Sequence, residues 1–262
     1  MTAAPPFLDE GAGRAIVFLH GWTMDGSIFA NQFRRLAARY RCLAPDLPGH
    51  GRNRSNDISI DGAVQAVRAL FEKENLSDAI LVGWSLGAAI GWHYLSNHEI
   101  GRVAGMISVD MSPKLINEAG WRLGLQGRDR AACLATTAQF RNHWNACGPA
   151  IAAGMFGSAA GSADLPLDGA VERIAANDPA AMVAMWESLL TSDARELIAA
   201  LPAPLLVAHG RFSKVYGAAT ARWLTKTAPK ARSVEFAHSG HSPHLEEPDD
   251  FASALGTFCE TV

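Results

Sequence analysis

The sequence predicts an α/β fold: a mostly parallel central sheet with helices on both faces and one helical insertion. Three observations carry this. Short apolar runs alternate with longer helical segments along most of the chain, the rhythm of strand–helix units in a parallel sheet. The runs, such as Ala79 to Val82, are brief and rich in branched residues, which suits buried strands. The length of 262 residues fits one α/β core carrying an insertion.

In order, Met1 to Gly13 contains Pro5-Pro6 and two glycines, leaving room for little more than an irregular edge strand. Ala15-Ile16-Val17-Phe18-Leu19 is a dense apolar strand that ends in His20-Gly21-Trp22. Ile28 to Tyr40 places Ile28, Phe29, Phe33, Leu36 and Ala37 at helical spacing, with Ser27 as the expected N-cap. A strand over Arg41 to Ala44 leads into the proline- and glycine-rich loop from Pro45 to Arg52, and Ser59 to Glu74 reads as a helix. The strand Ala79 to Val82 is followed by a helix over Leu86 to His98, and Val103 to Val109 is a further buried strand ending at Asp110-Met111-Ser112-Pro113. The alternation then stops. From Pro113 to Leu201 there are Ala-rich helical stretches broken by a Gly/Ser/Pro-rich patch around Gly157 to Pro166, and nothing resembling a core strand. The rhythm resumes with a strand over Pro204 to Ala208, a helix over Ala218 to Thr227, a strand over Ser233 to Ala237, the loop His238 to Pro243 and a last helix over Pro248 to Cys259. Residues 1–111 and 202–262 are therefore expected to form the core, and 112–201 a cap over it.

A net charge of -3 supplies no overall basic field, which argues against a nucleic-acid binder working by phosphate attraction. The four cysteines, Cys42, Cys133, Cys147 and Cys259, are widely spaced without a C-x-x-C pair. Neither a zinc site nor a disulfide framework is indicated, and a reducing compartment fits. No apolar run approaches the roughly 20 residues of a bilayer span, and the N-terminus lacks the basic start and apolar stretch of a signal peptide. The expectation is a cytoplasmic protein with no membrane partner.

The stretch richest in chemistry is Gly83-Trp84-Ser85-Leu86-Gly87. It places a serine between a buried strand and a helix, with small residues where the chain must bend, so that the hydroxyl stands exposed above a helix N-terminus. On its own this pattern also fits a glycine-tolerant turn with a bystander serine. A serine nucleophile needs a base. His241 lies in a Gly/Pro loop after the last strand, at the carboxyl edge where open α/β sheets assemble their sites. His238 and His244 share that loop, with His238 the main alternative, while His20 and His209 precede glycines at strand ends and read as loop buttresses.

The set His20-Gly21-Trp22, Asp46-Leu47-Pro48-Gly49-His50-Gly51, Gly83-Trp84-Ser85-Leu86-Gly87 and Gly240-His241-Ser242-Pro243 with Glu246 and Pro248, in this order, resembles the α/β-hydrolase superfamily over essentially the whole chain. Within it, the Gly-Trp-Ser-Leu-Gly elbow and the His-Gly-Trp loop look most like carboxylesterases that cleave pimeloyl-acyl-carrier-protein methyl ester in biotin synthesis. The resemblance implies an α/β-hydrolase fold, Ser85 as nucleophile, His241 as base, and an oxyanion hole from the backbone N–H groups of Trp22 and Leu86. It implies no metal and no organic cofactor.

One departure stands out. In the superfamily the triad acid usually follows the strand that here ends at His209-Gly210, but the aligned residue is Ser213, and no carboxylate occurs between Glu196 and Glu235. Asp110, at the end of the strand after the nucleophile's strand and helix, is the natural replacement. Its bland alternative is a cap for the following segment. Asp46 is a weaker candidate, because its loop is normally structural in this family.

The cap would sit over Ser85. Trp84 and Trp22, and from the cap Trp121, Phe140, Trp144, Met155 and Trp186, are candidate walls of an apolar acyl pocket, although the cap residues fit a small core of its own as well. Arg122, Arg128, Arg130 and Arg141, with Lys114, lie in a stretch poor in acids. They are candidate contacts for an acyl carrier protein by electrostatic steering, or simply a solvated helix face. The expected activity is carboxylester hydrolysis through an acyl-enzyme on a small-molecule or carrier-bound acyl ester. Alternatives keep the same machinery for a lactone, thioester or carbon–carbon bond, or retain the fold as a slow ligand-binding homologue, for which the serine at 213 is the best support.

Overall fold

The computed structural model describes residues 4–97 and 100–262. Seven strands form one sheet: β1 (Phe7–Glu10), β2 (Ala15–Leu19), β3 (Arg41–Pro45), β4 (Ala79–Trp84), β5 (Val103–Val109), β6 (Leu205–Gly210) and β7 (Ala231–Phe236). Their order is β1-β3-β2-β4-β5-β6-β7. Only the first pair, β1 with β3, is antiparallel. From β2 the chain steps to β3 on one side and then back to β4 on the other. That reversal opens a crevice at the carboxyl ends of β2 and β4, where parallel sheets bind ligands. Ile16 to Leu19 and Ile80 to Val82 are completely buried, because helices cover the sheet. Of these, α3 (Leu86–Asn97) packs on β2, β4 and β5, α2 (Ile60–Lys73) packs on α3, and α8 (Ala218–Thr227) packs on β6 and β7, while α1 (Ala30–Leu36) and α10 (Pro248–Cys259) pack on each other.

The expected elements are present, with informative shifts. Ser27 does not cap the first helix. The Asp25 carboxylate accepts from Ser27 N–H at 2.8 Å and starts a 3-10 turn over Gly26–Phe29 that runs into α1; of two cap-competent residues two positions apart, the earlier one takes the role. Ser59 does cap α2, accepting from Gly62 N–H at 2.9 Å. β7 starts earlier than its apolar residues indicate, because it is an edge strand whose Arg232, Ser233 and Glu235 face solvent. The expected helix end at His98 lies outside the described residues.

Between β5 and β6 the described residues contain no strand, only isolated bridges and four helices: α4 (Arg130–Met155), α5 (Leu167–Ala175), α6 (Pro179–Thr191) and α7 (Arg195–Ala199). Asp129 caps α4, which is broken at His143, and Asp178 caps α6. α4 packs on α5 and α6, α6 reaches α2, and α7 packs on α3 and α8. Two short connections complete the carboxyl edge, the turn after β6 and the loop from β7 into α9 (Pro243–Glu246). Among the described residues no helix is long and apolar enough to cross a membrane.

Candidate active site

β4 ends at Trp84 and α3 begins at Leu86, so Ser85 alone makes the bend, at φ +52°. A serine in the left-handed region is strained, and the surrounding bonds hold it there. Ser85 N–H donates to Val109 O at 2.9 Å, and Ser85 O accepts from Ala88 N–H at 2.8 Å. The flanking glycines are required by space: a Cβ on Gly83 would overlap the Gly87 carbonyl, and one on Gly87 would overlap the Leu19 carbonyl of β2. The Leu86 N–H stands at the first position of α3, where a helix has no internal acceptor to offer.

One strand over, Asp110 follows β5, also at positive φ (+43°), with its N–H donating to Ala208 O at 2.8 Å. Its Oδ2 lies 2.6 Å from His241 Nδ1. Both side chains are buried, His241 at 6% and Asp110 at 5% exposure. A carboxylate only accepts, so Nδ1 carries the proton and Nε2 is left as the basic nitrogen. The same Oδ2 accepts from Ser213 Oγ at 2.6 Å. The backbone of the histidine is held too. Trp84 Nε1 donates to His241 O at 2.8 Å, and Glu246 accepts from Gly240 N–H and from Gly157 N–H, each at 2.7 Å, joining the loop to the end of α4. Burial pushes the Glu246 carboxyl up from its ordinary value, against these backbone donors.

Ser85 and His241 line one cavity of about 210 Å³. Its walls come from Gly21, Trp22 and Thr23 after β2, Trp84, Leu115 and Leu125 after β5, Ala150, Ile151, Gly154 and Met155 of α4, Trp186 and Leu189 of α6, and Val215 and Tyr216 after β6. Apart from His241 the only ionisable wall residue is Tyr216, whose hydroxyl burial pushes far up. A larger, more polar recess of about 760 Å³, with Arg54 and Arg173, lies between the 49–58 loop and α5–α6 and shares Thr23 with it. It gathers no nucleophile–base pair.

Of the expected pocket walls, Trp84, Met155 and Trp186, with Trp22, line the cavity. Phe140 and Trp144 stand outside it, stacked around Trp22 and Trp186 at centroid distances of 5.0 to 6.0 Å as a supporting layer. Trp121 lies elsewhere, edge-on to Trp223 at 5.1 Å with Arg195 over its ring, because its indole N–H is tied to Lys114 O. The walls Leu115, Leu125, Ile151, Val215 and Tyr216 have no distinguishing mark in the sequence, where they differ in no way from ordinary core residues. In the sequence Ser213 reads only as a missing acid, and its hydroxyl is the signal that marks it as a partner for the carboxylate.

Arg122, Arg128, Arg130 and Arg141 are all exposed. Arg141 is paired with Glu187, whereas Arg128 donates to the neutral Thr136 Oγ1 at 3.0 Å, which leaves its charge uncompensated. Of the other histidines near the site, three are enclosed in the fold and one is exposed. His20 accepts from Leu47 N–H at 2.9 Å and so buttresses the Asp46 loop; Asp46 accepts from Gly26 and Arg52 N–H at 3.0 Å. His50 and His244 are buried, which pushes both down to about 3. His238 is exposed, away from Asp110.

A family model described as alpha/beta hydrolase family matches residues 16–254. The chain is 29% identical over 246 residues to a pimeloyl-(acyl-carrier protein) methyl ester esterase of Nitrosomonas europaea, covering 94% of this chain and 95% of that one. It is 29% identical over 252 residues to the protein of the same description from Vibrio vulnificus, covering 95% of each. Among solved structures, an esterase from Exiguobacterium antarcticum superposes with a TM-score of 0.89 at 20% identity, over 97% of this chain and 94% of that one.

Proposed function

The chain belongs to the alpha/beta hydrolase family, and on that footing we propose that it is a serine carboxylesterase working through an acyl-enzyme on Ser85. The observation that carries this reading is the 2.6 Å contact between His241 Nδ1 and Asp110 Oδ2, in a cavity that the strained Ser85 also lines. With Nδ1–H committed to Asp110, His241 Nε2 takes the Ser85 proton as the serine oxygen attacks the ester carbonyl. The oxyanion meets the backbone N–H groups of Trp22 and Leu86, worth roughly 3 kcal/mol or more apiece in barrier. His241 returns the proton to the leaving alcohol, then activates the water that clears the acyl group. Asp110 supplies from β5 the orientation that position 213 cannot.

The segment 112–201 acts as the lid, with α4 and α6 roofing the acyl site. An uncharged cavity of about 210 Å³ favours a short to medium acyl chain without charge inside. The relatives named for pimeloyl-carrier-protein methyl ester support a methyl ester of that class as substrate. The exposed Arg122, Arg128, Arg130 and Arg141 are the contacts for an acidic carrier protein in this reading. The test combines fluorophosphonate labelling with turnover of p-nitrophenyl esters of rising chain length and of methyl pimeloyl-carrier protein. Labelling at Ser85 and a maximum at short to medium chains are expected; a chain neither labelled nor active would refute the proposal, and Ser85→Ala must abolish both signals.

A further inference from the structure

Ser213 stands where the resemblance places an acid, and its surroundings give its hydroxyl a defined direction. Ser213 Oγ lies 2.6 Å from Asp110 Oδ2, the oxygen that His241 Nδ1 also meets at 2.6 Å. The backbone N–H groups of Val215 and Tyr216 both point at Ser213 Oγ, each at 3.3 Å. A hydroxyl has one proton and two lone pairs. With amide donors on the lone-pair side, the proton goes to the carboxylate. The turn that holds Ser213 is fastened to the histidine loop: Arg211 N–H donates to Phe236 O and Phe212 N–H to Ser239 O, both at 2.9 Å, and Ser213 N–H closes on Gly210 O at 3.2 Å. Asp110, Ser213 and His241 therefore sit on three neighbouring strand ends whose backbones are bonded to one another.

We propose that Ser213 is a positioning residue that acts through Asp110. Its proton holds the carboxylate with Oδ2 toward His241 and takes up part of the negative charge that the imidazole would otherwise feel alone. Two donors on one oxygen share that charge, and the Val215 and Tyr216 amides polarise the hydroxyl in the same direction. The consequence is a balance. Asp110 still fixes the ring and its tautomer, while the hydroxyl carries part of the charge that the ring faces. Burial favours the neutral forms of the other titratable groups that face the pair. Burial lowers His209, which stands in the field of Asp110 with Glu235 and Arg222 beyond it. It lowers His244 beside His241 and raises the Tyr216 hydroxyl, which donates to Met111 Sδ at 3.2 Å and has Cys133 near it.

The inference rests on the esterase reading, and its test separates the two. Wild type, Ser213→Ala and Ser213→Thr are compared by kcat and KM against pH on a p-nitrophenyl ester, with rates divided by fluorophosphonate-titrated active sites so that misfolded protein does not count. Ser213→Ala is expected to lose about tenfold in kcat with little change in KM, and its acid limb to move up by ~0.5 pH unit or more. Ser213→Thr, which keeps the donor, restores both. The downfield proton resonance of the His241–Asp110 bond shifts in Ser213→Ala and returns in Ser213→Thr. An alanine variant with an unmoved acid limb and an unmoved resonance overturns the proposal, whatever its rate, because a merely structural role would leave both in place. If wild type is neither labelled nor active, the esterase reading fails instead, and the resonance alone still decides the role of Ser213.

Discussion

At the scale of single residues, the decisive distinction is among histidines that the sequence offers in one loop. His238, His241 and His244 are equally polar in sequence, and only packing separates them. His241 meets a carboxylate, His238 faces solvent, and His244 is enclosed by Trp84, Phe29 and Phe251 at 4.7, 5.0 and 6.0 Å with neither ring nitrogen hydrogen-bonded. That enclosure has a consequence for stability. His50 and His244 are held down to about 3 by burial, whereas the unfolded chain takes up these protons near the ordinary value of about 6.5. A group depressed in this way contributes stability that is fully present above about pH 6.5 and is lost as pH falls toward about 3, at up to ~1.4 kcal/mol per pH unit for each group. Urea midpoints at pH 7.5, 6 and 5 should therefore decline, and His244→Phe, which keeps the aromatic packing, should decline less steeply. A His244→Phe variant with the wild-type slope would contradict this assignment.

At the scale of elements, the nucleophile turn was legible because its constraint is local: a strand that enters a helix through one residue leaves no room for side chains on either flank. Gly87→Ala tests that constraint. Its new Cβ would overlap the Leu19 carbonyl, backbone that cannot move without shifting β2, so a loss of about 2–4 kcal/mol in unfolding free energy is expected, with turnover falling alongside. Denaturant titration checks it, and stability within ~0.5 kcal/mol of wild type would contradict it. The helices between β5 and β6 were legible only as helices. Periodicity marks which residues turn inward but not what they meet, which is why Trp121 packs on Trp223 and Phe140 and Trp144 back the cavity rather than line it. The cap on α1 was displaced for a similarly local reason, since Asp25 and Ser27 both offer an acceptor and only the backbone path selects one.

At the scale of the whole molecule, the sheet converts distant residues into one site. β4, β5 and β6 are parallel neighbours in register, with Trp84 opposite Val109 and Val109 opposite Ala208, so the residues that follow each strand emerge side by side on one edge. The strand alternation made this fold legible from the chain, and the ordered motifs marked its loops. The identity of the acid was not settled by them, because it depends on strand order, which places β5 between the nucleophile's strand and β6. Asp110 thereby reaches the imidazole from the end of β5, and the Ser213 hydroxyl, after the adjacent β6, reaches the carboxylate rather than the ring. The kcat of Asp110→Asn, measured with the fold verified, tests this arrangement most directly. A loss of about 10⁴-fold with little change in KM is predicted, because an amide leaves the imidazole in the wrong tautomer; an unchanged kcat would contradict it.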